Sequence, residues 1–248
     1  TPVRSVLLLS GGAAVLLAGF SLGTPWIGLP VAVLGLLVLF PEFRSLTPDG
    51  TLRAVPALPA AVLTRGVLTF AFFGADAFVS LAMTSVRGTS TRSAGLVLAS
   101  SSFLWTAGSW IQARYSDAWG APRLVRVGGA TLAVGCVVMA VSLSPDVPVA
   151  VWLLGGGLTG LGIGIAYSPL SVVTLGEAEP GHEGAATSAL QMTDILGIAL
   201  GTGLAGVLVT SGERLALEEW QPLVGVFGMS ALVALGVVAL APRLRRAS

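Results

Sequence analysis

Long apolar runs, separated by short stretches that carry the charges, make up most of the chain. A hydrocarbon core about 30 Å thick takes about 20 residues of helix at 1.5 Å per residue. Eight runs approach that length, at residues 5–22, 23–40, 66–86, 94–111, 124–143, 147–167, 184–209 and 223–241. Strands of a membrane barrel would instead alternate apolar and polar residues. The stretch from Val31 to Phe40 does not alternate. Backbone groups in lipid have to be satisfied within the segment, so continuous runs of this kind are read as helices. The expected fold is all-α: a polytopic membrane protein with eight transmembrane helices.

Composition agrees. Apolar residues make up 54% of the 248, with 33 glycines besides, and only 10% are charged, against roughly 25% in a soluble domain; the mean hydropathy is +0.89. A net charge of +1 without a clustered basic face argues against a nucleic-acid partner. A single cysteine, Cys136, and a single histidine, His182, leave no material for a disulfide or a metal cage, so no metal and no cofactor is expected. Cys136 falls in a bland run and His182 in a loop; no nucleophile stands beside a base, and no enzymatic activity is expected. The chain opens on Thr1 rather than Met, which leads us to expect a piece of a longer protein.

Arginine asymmetry sets the expected orientation. With eight spans, Arg4, Arg44, Arg53, Arg65, Arg114, Arg123, Arg126, Arg243, Arg245 and Arg246 fall on the side of both termini; Arg87, Arg92 and Arg214 fall on the other. Both ends are therefore expected in the cytoplasm. Trp152 and Trp220 then fall near the outer interface, and Trp110, Tyr115 and Trp119 near the inner one. The polar connection 42–65 divides a two-helix piece, 1–41, from a six-helix piece, 66–248.

Two acids interrupt the apolar runs. Asp76 and Asp194 each lie about ten residues into a run, near the midplane, where a carboxylate costs about 3 kcal/mol on insertion scales. Helical spacing puts Thr69, Asp76, Ser80 and Thr84 on one face of the third run and Gln191 beside Asp194 on the seventh. Ser102, Thr106 and Ser109 mark the fourth run, and Thr159 and Tyr167 the sixth. The fifth and eighth are bland supports. This pattern points to a polar-lined interior in which Asp76 and Asp194 bind a proton or a cation, with Ser80, Gln191 and the ring of Trp105 as further ligand contacts. Isolated Ser and Thr residues in such stripes more often bond their own backbone or a neighbouring helix.

The sixth run holds a GxGxxG string at Gly155, Gly157 and Gly160, but it does not stand in the soluble βαβ unit, opened by a strand, that a dinucleotide-binding fingerprint needs. The four-residue spacing of Gly156, Gly160 and Gly164, repeated by Gly197 and Gly201 in the seventh, instead suits close helix packing.

Three motifs carry a resemblance. The loop from Gly108 to Arg126, with Asp117, Gly120, Arg123 and Arg126 in order, is similar to the second copy of the cytoplasmic loop motif of the major facilitator superfamily, although Ala118 and Ala121 stand where basic residues are usual. The segment from Pro180 to Ser188 resembles the Pro-to-Gly-x-Ala opening of a later helix in that family, with Glu183 in place of an arginine. The glycine-rich sixth run ending at Tyr167-Ser-Pro169 is the third. The resemblance implies the six-helix second half of a transporter, with the third and sixth runs lining a cavity and Asp117, Gly120, Arg123 and Arg126 forming a cytoplasmic gating loop. The two leading helices resemble the pair inserted between the halves of the fourteen-helix drug:proton antiporters, or else the last two helices of the N-terminal half of a twelve-helix transporter. The expected function is proton-coupled efflux of a small amphipathic or cationic molecule across the cytoplasmic membrane. The expected partners are that substrate, protons, the lipid bilayer and an N-terminal six-helix half. A non-transporting membrane scaffold is the alternative.

Overall fold

A computed structural model describes residues 2–22 and 24–245. Thr1, Gly23, which opens the second expected run, and Arg246, part of the arginine asymmetry, lie outside the described residues. Every regular element among the described residues is helical. α1 (Pro2–Ser21) and α2 (Pro25–Leu46) form a hairpin, in which Gly12, Gly19 and Gly35 bring the two backbones together. α3 spans Leu58–Asp76 and is followed by a short turn at Val79–Leu81 and a π turn at Ala82–Val86. The helical stretch Thr91–Val141 breaks at Gly120 (φ 67°, ψ 163°) into α4 (91–119) and α5 (121–141). α6 (Ala150–Gly176), α7 (Glu183–Arg214) and α8 (Trp220–Leu240) complete the bundle.

Among the described residues, seven helical stretches are long and apolar enough to cross a membrane, and the one broken at Gly120 consists of two arms. Gly156, Gly160 and Gly164 of α6 meet Val97, Ser101 and Trp105 in ascending order, whereas Gly155 and Gly162 meet Met139 and Leu132 in descending order. The two arms therefore run in opposite directions along α6. Gly120 permits the reversal because a positive φ suits a residue without Cβ, and Pro122 removes a backbone donor just beyond it.

Several boundaries differ from the apolar runs. α2 continues past Phe40 through Pro41 to Leu46. α3 starts eight residues before the expected position, with Pro59 in its first turn, where the missing N–H costs nothing. α6 runs on to Gly176 with Pro169 inside it. Trp152, expected at an interface, is fully buried and donates from Nε1 to the Ser142 carbonyl at 2.9 Å; the loop after α5 folds over it.

α3 is the central helix, with twelve of its nineteen residues buried among α6, α7 and α8. α5 and α8 turn Val134, Val137, Leu232 and Leu235 outward, as lipid-facing helices do. The α1–α2 hairpin rests on α7 through Leu9, Ala13, Leu39, Phe43 and Leu196. At the other end of the hairpin, Arg214 Nη2 donates to the Ser21 carbonyl at 2.6 Å. The connection between α2 and α3 is latched as well: Arg243 Nη1 donates to the carbonyls of Arg53 (2.8 Å) and Ala54 (3.1 Å), and the Ala57 amide donates to the Arg243 carbonyl at 2.8 Å.

Candidate functional site

The early start of α3 moves one charge. Arg65, expected in the cytoplasmic connection, lies two turns into α3 and is 2% exposed. Its guanidinium carbon sits 3.5 Å from the centroid of the Tyr167 ring, and Nη2 donates to Ser171 Oγ at 2.5 Å. Tyr167 and Ser171 are four residues apart on α6 and so share a face. From that face the Tyr167 hydroxyl donates to Asp194 Oδ2 at 2.8 Å. Thr69 Oγ1 donates to the Asp194 backbone carbonyl at 3.1 Å, and also contacts the Arg65 and Gly66 carbonyls of its own turn.

Close helix approach makes this arrangement possible. A Cβ on Gly197 would strike the Gly66 carbonyl, and one on Gly201 would strike the Phe70 carbonyl, so α3 and α7 pack backbone to backbone. Gly156, Gly160 and Gly164 do the same for α6 against α4, which holds Tyr167 beside the α4 side chain Trp105. A string of rings follows: Phe73 to Phe72 at 5.0 Å, Phe72 to Trp105 at 5.2 Å and Trp105 to Tyr167 at 5.8 Å. Trp105 is thus held in packing between α3 and α6, with part of its surface left open.

The cluster places a cation, a phenol and a carboxyl in series across three helices. A buried carboxylate is costly unless it is hydrogen-bonded and faces a compensating charge. Tyr167 provides the first directly, and its ring face holds the Arg65 charge nearby. Arg65 Nε and Nη1 and Asp194 Oδ1 are buried and have no hydrogen-bond partner among the described residues. The arrangement brings a carboxyl, a phenol and a guanidinium together inside the bundle, with Tyr167 in contact with both charged groups.

Asp76 is placed differently. It is the last residue of α3 and is partly buried, and among the described residues no hydrogen bond or ion pair reaches its carboxyl. Thr69 marks the level of Asp194, and Asp76 lies seven residues further along, or about 10 Å of helix. The two acids therefore do not form one site. The common face expected for Thr69, Asp76, Ser80 and Thr84 does not persist beyond Asp76, because the break and the π turn change the helical phase. Ser80 and Gln191 are exposed, and neither side chain has a hydrogen-bond partner among the described residues. The other marked hydroxyls mostly bond their own helix: Thr84, Ser102 and Thr106 each donate to a carbonyl four residues back, and Thr187 and Thr202 on α7 do the same.

In the connection between α4 and α5, Asp117, Arg123 and Arg126 are exposed, and no ion pair joins them among the described residues. Gly120 is the pivot, and Tyr115 stacks on Trp119 at 5.3 Å. His182 is exposed and lies 4.0 Å from Glu179.

Sequence reasoning missed Arg65 and Ser171 and treated Tyr167 as an isolated polar mark. The available signal was Pro59: a proline favours the first helical turn, and a helix counted from there takes Arg65 into the membrane.

Comparison with known proteins adds the following. The family model described as Major Facilitator Superfamily matches residues 61–248. A protein of Mycobacterium tuberculosis named as a probable multidrug-efflux transporter is 31% identical over 150 residues, 59% of this chain and 31% of that protein. An uncharacterized MFS-type transporter of Bacillus subtilis is 25% identical, over 59% of this chain and 33% of its own length. The methylenomycin A resistance protein of Bacillus subtilis is 26% identical, over 62% and 35%. The chain spans about a third of the length of these relatives.

Proposed function

The chain belongs to the major facilitator superfamily, and from that premise we propose that it is part of a secondary transporter that exports a small amphipathic or cationic molecule across the cytoplasmic membrane in exchange for protons. The observation that carries the reading is the buried series Arg65, Tyr167 and Asp194, in which the tyrosine hydroxyl bonds the carboxyl at 2.8 Å and the guanidinium covers the tyrosine ring. Ionisable groups inside a membrane bundle are costly and mark ion or substrate pathways. The names of the relatives, multidrug efflux and methylenomycin resistance, support export of a small organic molecule.

In this reading transport is the activity and no enzymatic step is involved. Asp194 exchanges a proton against the fixed charge of Arg65, while Asp76, which has no partner among the described residues, takes a proton or the cationic group of the substrate. Occupancy of either acid by one ligand disfavours the other, and a ligand shifts a conformational equilibrium only through such differential binding. A six-helix N-terminal half would dock over α3, α4, α6 and α7, and the two bundles would rock about the midplane. With Arg65 inside the bundle, nine arginines against three still favour both ends in the cytoplasm. Asp117, Gly120, Arg123 and Arg126 would then form the inner gating loop.

The test is proton-coupled transport in everted vesicles that carry the whole transporter with Asp76→Asn or Asp194→Asn. Loss of coupling in at least one variant is expected; coupling that survives both substitutions overturns the proposal.

A further inference from the structure

The end of α2 and the connection to α3 form a feature that exchange at the two acids does not use. A cavity of about 480 Å³ is lined there by Arg44, Thr47, Asp49, Thr51 and Arg53, among others. The hydroxyls of Thr47 and Thr51 are committed to the carbonyls of Phe43 and Pro48. The two guanidiniums are exposed, and neither has a hydrogen bond or ion pair with the chain among the described residues. Asp49 is the single acid on the lining.

Phe40 and Leu52 line this cavity and also a second one of about 440 Å³. The second is a groove between α2 on one side and α3, α7 and α8 on the other, walled by Leu36, Phe43, Leu63, Phe70, Leu196 and Val233. From Leu63 to Phe70 it follows α3 for about 10 Å. Its sole polar lining side chain is Thr193, whose hydroxyl is committed to the Ala189 carbonyl. A pocket with two arginines and one acid thus adjoins an apolar groove at two shared side chains, Phe40 and Leu52.

We propose that this composite cleft binds one anionic phospholipid, with its phosphate between Arg44 and Arg53 and an acyl chain in the groove between α2 and the six-helix bundle. Guanidinium groups pair with phosphate oxygens through parallel N–H donors, and basic pockets between membrane helices suit acidic head groups. The chemistry of the two compartments selects the occupant. A cationic substrate is repelled by the arginines, a soluble phosphate leaves the groove empty, and a zwitterionic lipid brings a second positive charge against them. The bound lipid fills the seam between the α1–α2 hairpin and the rest of the bundle, so it would bear on how firmly the two are joined. This inference requires that the helices span a bilayer and is independent of the proton-exchange reading.

The test is thermal unfolding of the whole transporter in detergent with added dioleoylphosphatidylglycerol, dioleoylphosphatidylcholine or sn-glycerol 3-phosphate. Phosphatidylglycerol is expected to raise the melting temperature above the value in phosphatidylcholine, and glycerol phosphate to leave it unchanged. Arg44→Gln and Arg53→Gln should each weaken phosphatidylglycerol binding about fivefold, the factor carried by one surface arginine, while Arg114→Gln and Arg123→Gln leave it intact. Leu36→Trp, at a half-exposed groove position, should weaken binding by filling the tail compartment. Equal stabilisation by the two lipids, or a preference that survives the double substitution of Arg44 and Arg53, overturns the proposal. A full response to glycerol phosphate alone also overturns it, since the site would then bind a soluble anion.

Discussion

Asp194 and Asp76 differ by about 10 Å in height along α3 and occupy opposite environments. Asp194 is 7% exposed, bonded by Tyr167 and faced by the Arg65 charge across the ring. Asp76 ends a helix, is half-buried and has no protein partner among the described residues. The first acid is integrated into the contact between α3, α6 and α7, so a change in its charge is felt by three helices. The second stands where the helix breaks, and a change there is felt mainly by whatever occupies the space beside it. An acid that couples a proton to helix packing needs the first kind of place, and an acid that receives a ligand needs the second.

This contrast breaks most readily at Asp194. Replacing it with Leu leaves the Tyr167 hydroxyl without its acceptor and Arg65 without a compensating charge, and the expected loss is about 3 kcal/mol of stability, read as a lower melting temperature in detergent. If Asp194→Leu is no less stable than the parent, the carboxyl is not integrated in the packing. Tyr167→Phe should have a smaller effect. It keeps the ring beneath Arg65 and removes only the hydrogen bond, at a cost of about 1 to 2 kcal/mol, whereas Tyr167→Leu, which loses the ring as well, should cost clearly more. Equal melting temperatures for those two variants would show that the cation over the ring contributes nothing. Asp76→Asn should move stability least, within about 0.5 kcal/mol, while changing transport. A stability loss as large as that of Asp194→Leu would mean that Asp76 too is a packing group and would dissolve the distinction.

The type of the helices, and their number approximately, were legible along the chain, because runs of bilayer length satisfy their backbone locally whatever their neighbours are. The glycine spacings in α6 and α7 were legible for a related reason: a residue without a side chain marks a close approach even before the partner helix is known. The Arg65 cluster was not. Its recognition depended on where α3 begins, and the apolar run begins only after the arginine, whereas the helix begins at Leu58. The equivalence of the two acids also failed, because a helical face read from spacing assumes an unbroken helix, and α3 stops at Asp76.

The order of residues by itself determined that this protein is a bundle of membrane helices with two acids inside its apolar runs. Hydrophobic length and the lack of water in lipid act on each segment separately, so no neighbour has to be known. Only the tertiary structure decided that Arg65 is buried, that Tyr167 stands between it and Asp194, and that Asp76 has no partner among the described residues. Those outcomes depend on which helices meet and at what height, and contacts such as Tyr167 to Asp194, 27 positions apart, or Arg65 to Ser171, 106 apart, leave no periodic trace in the sequence.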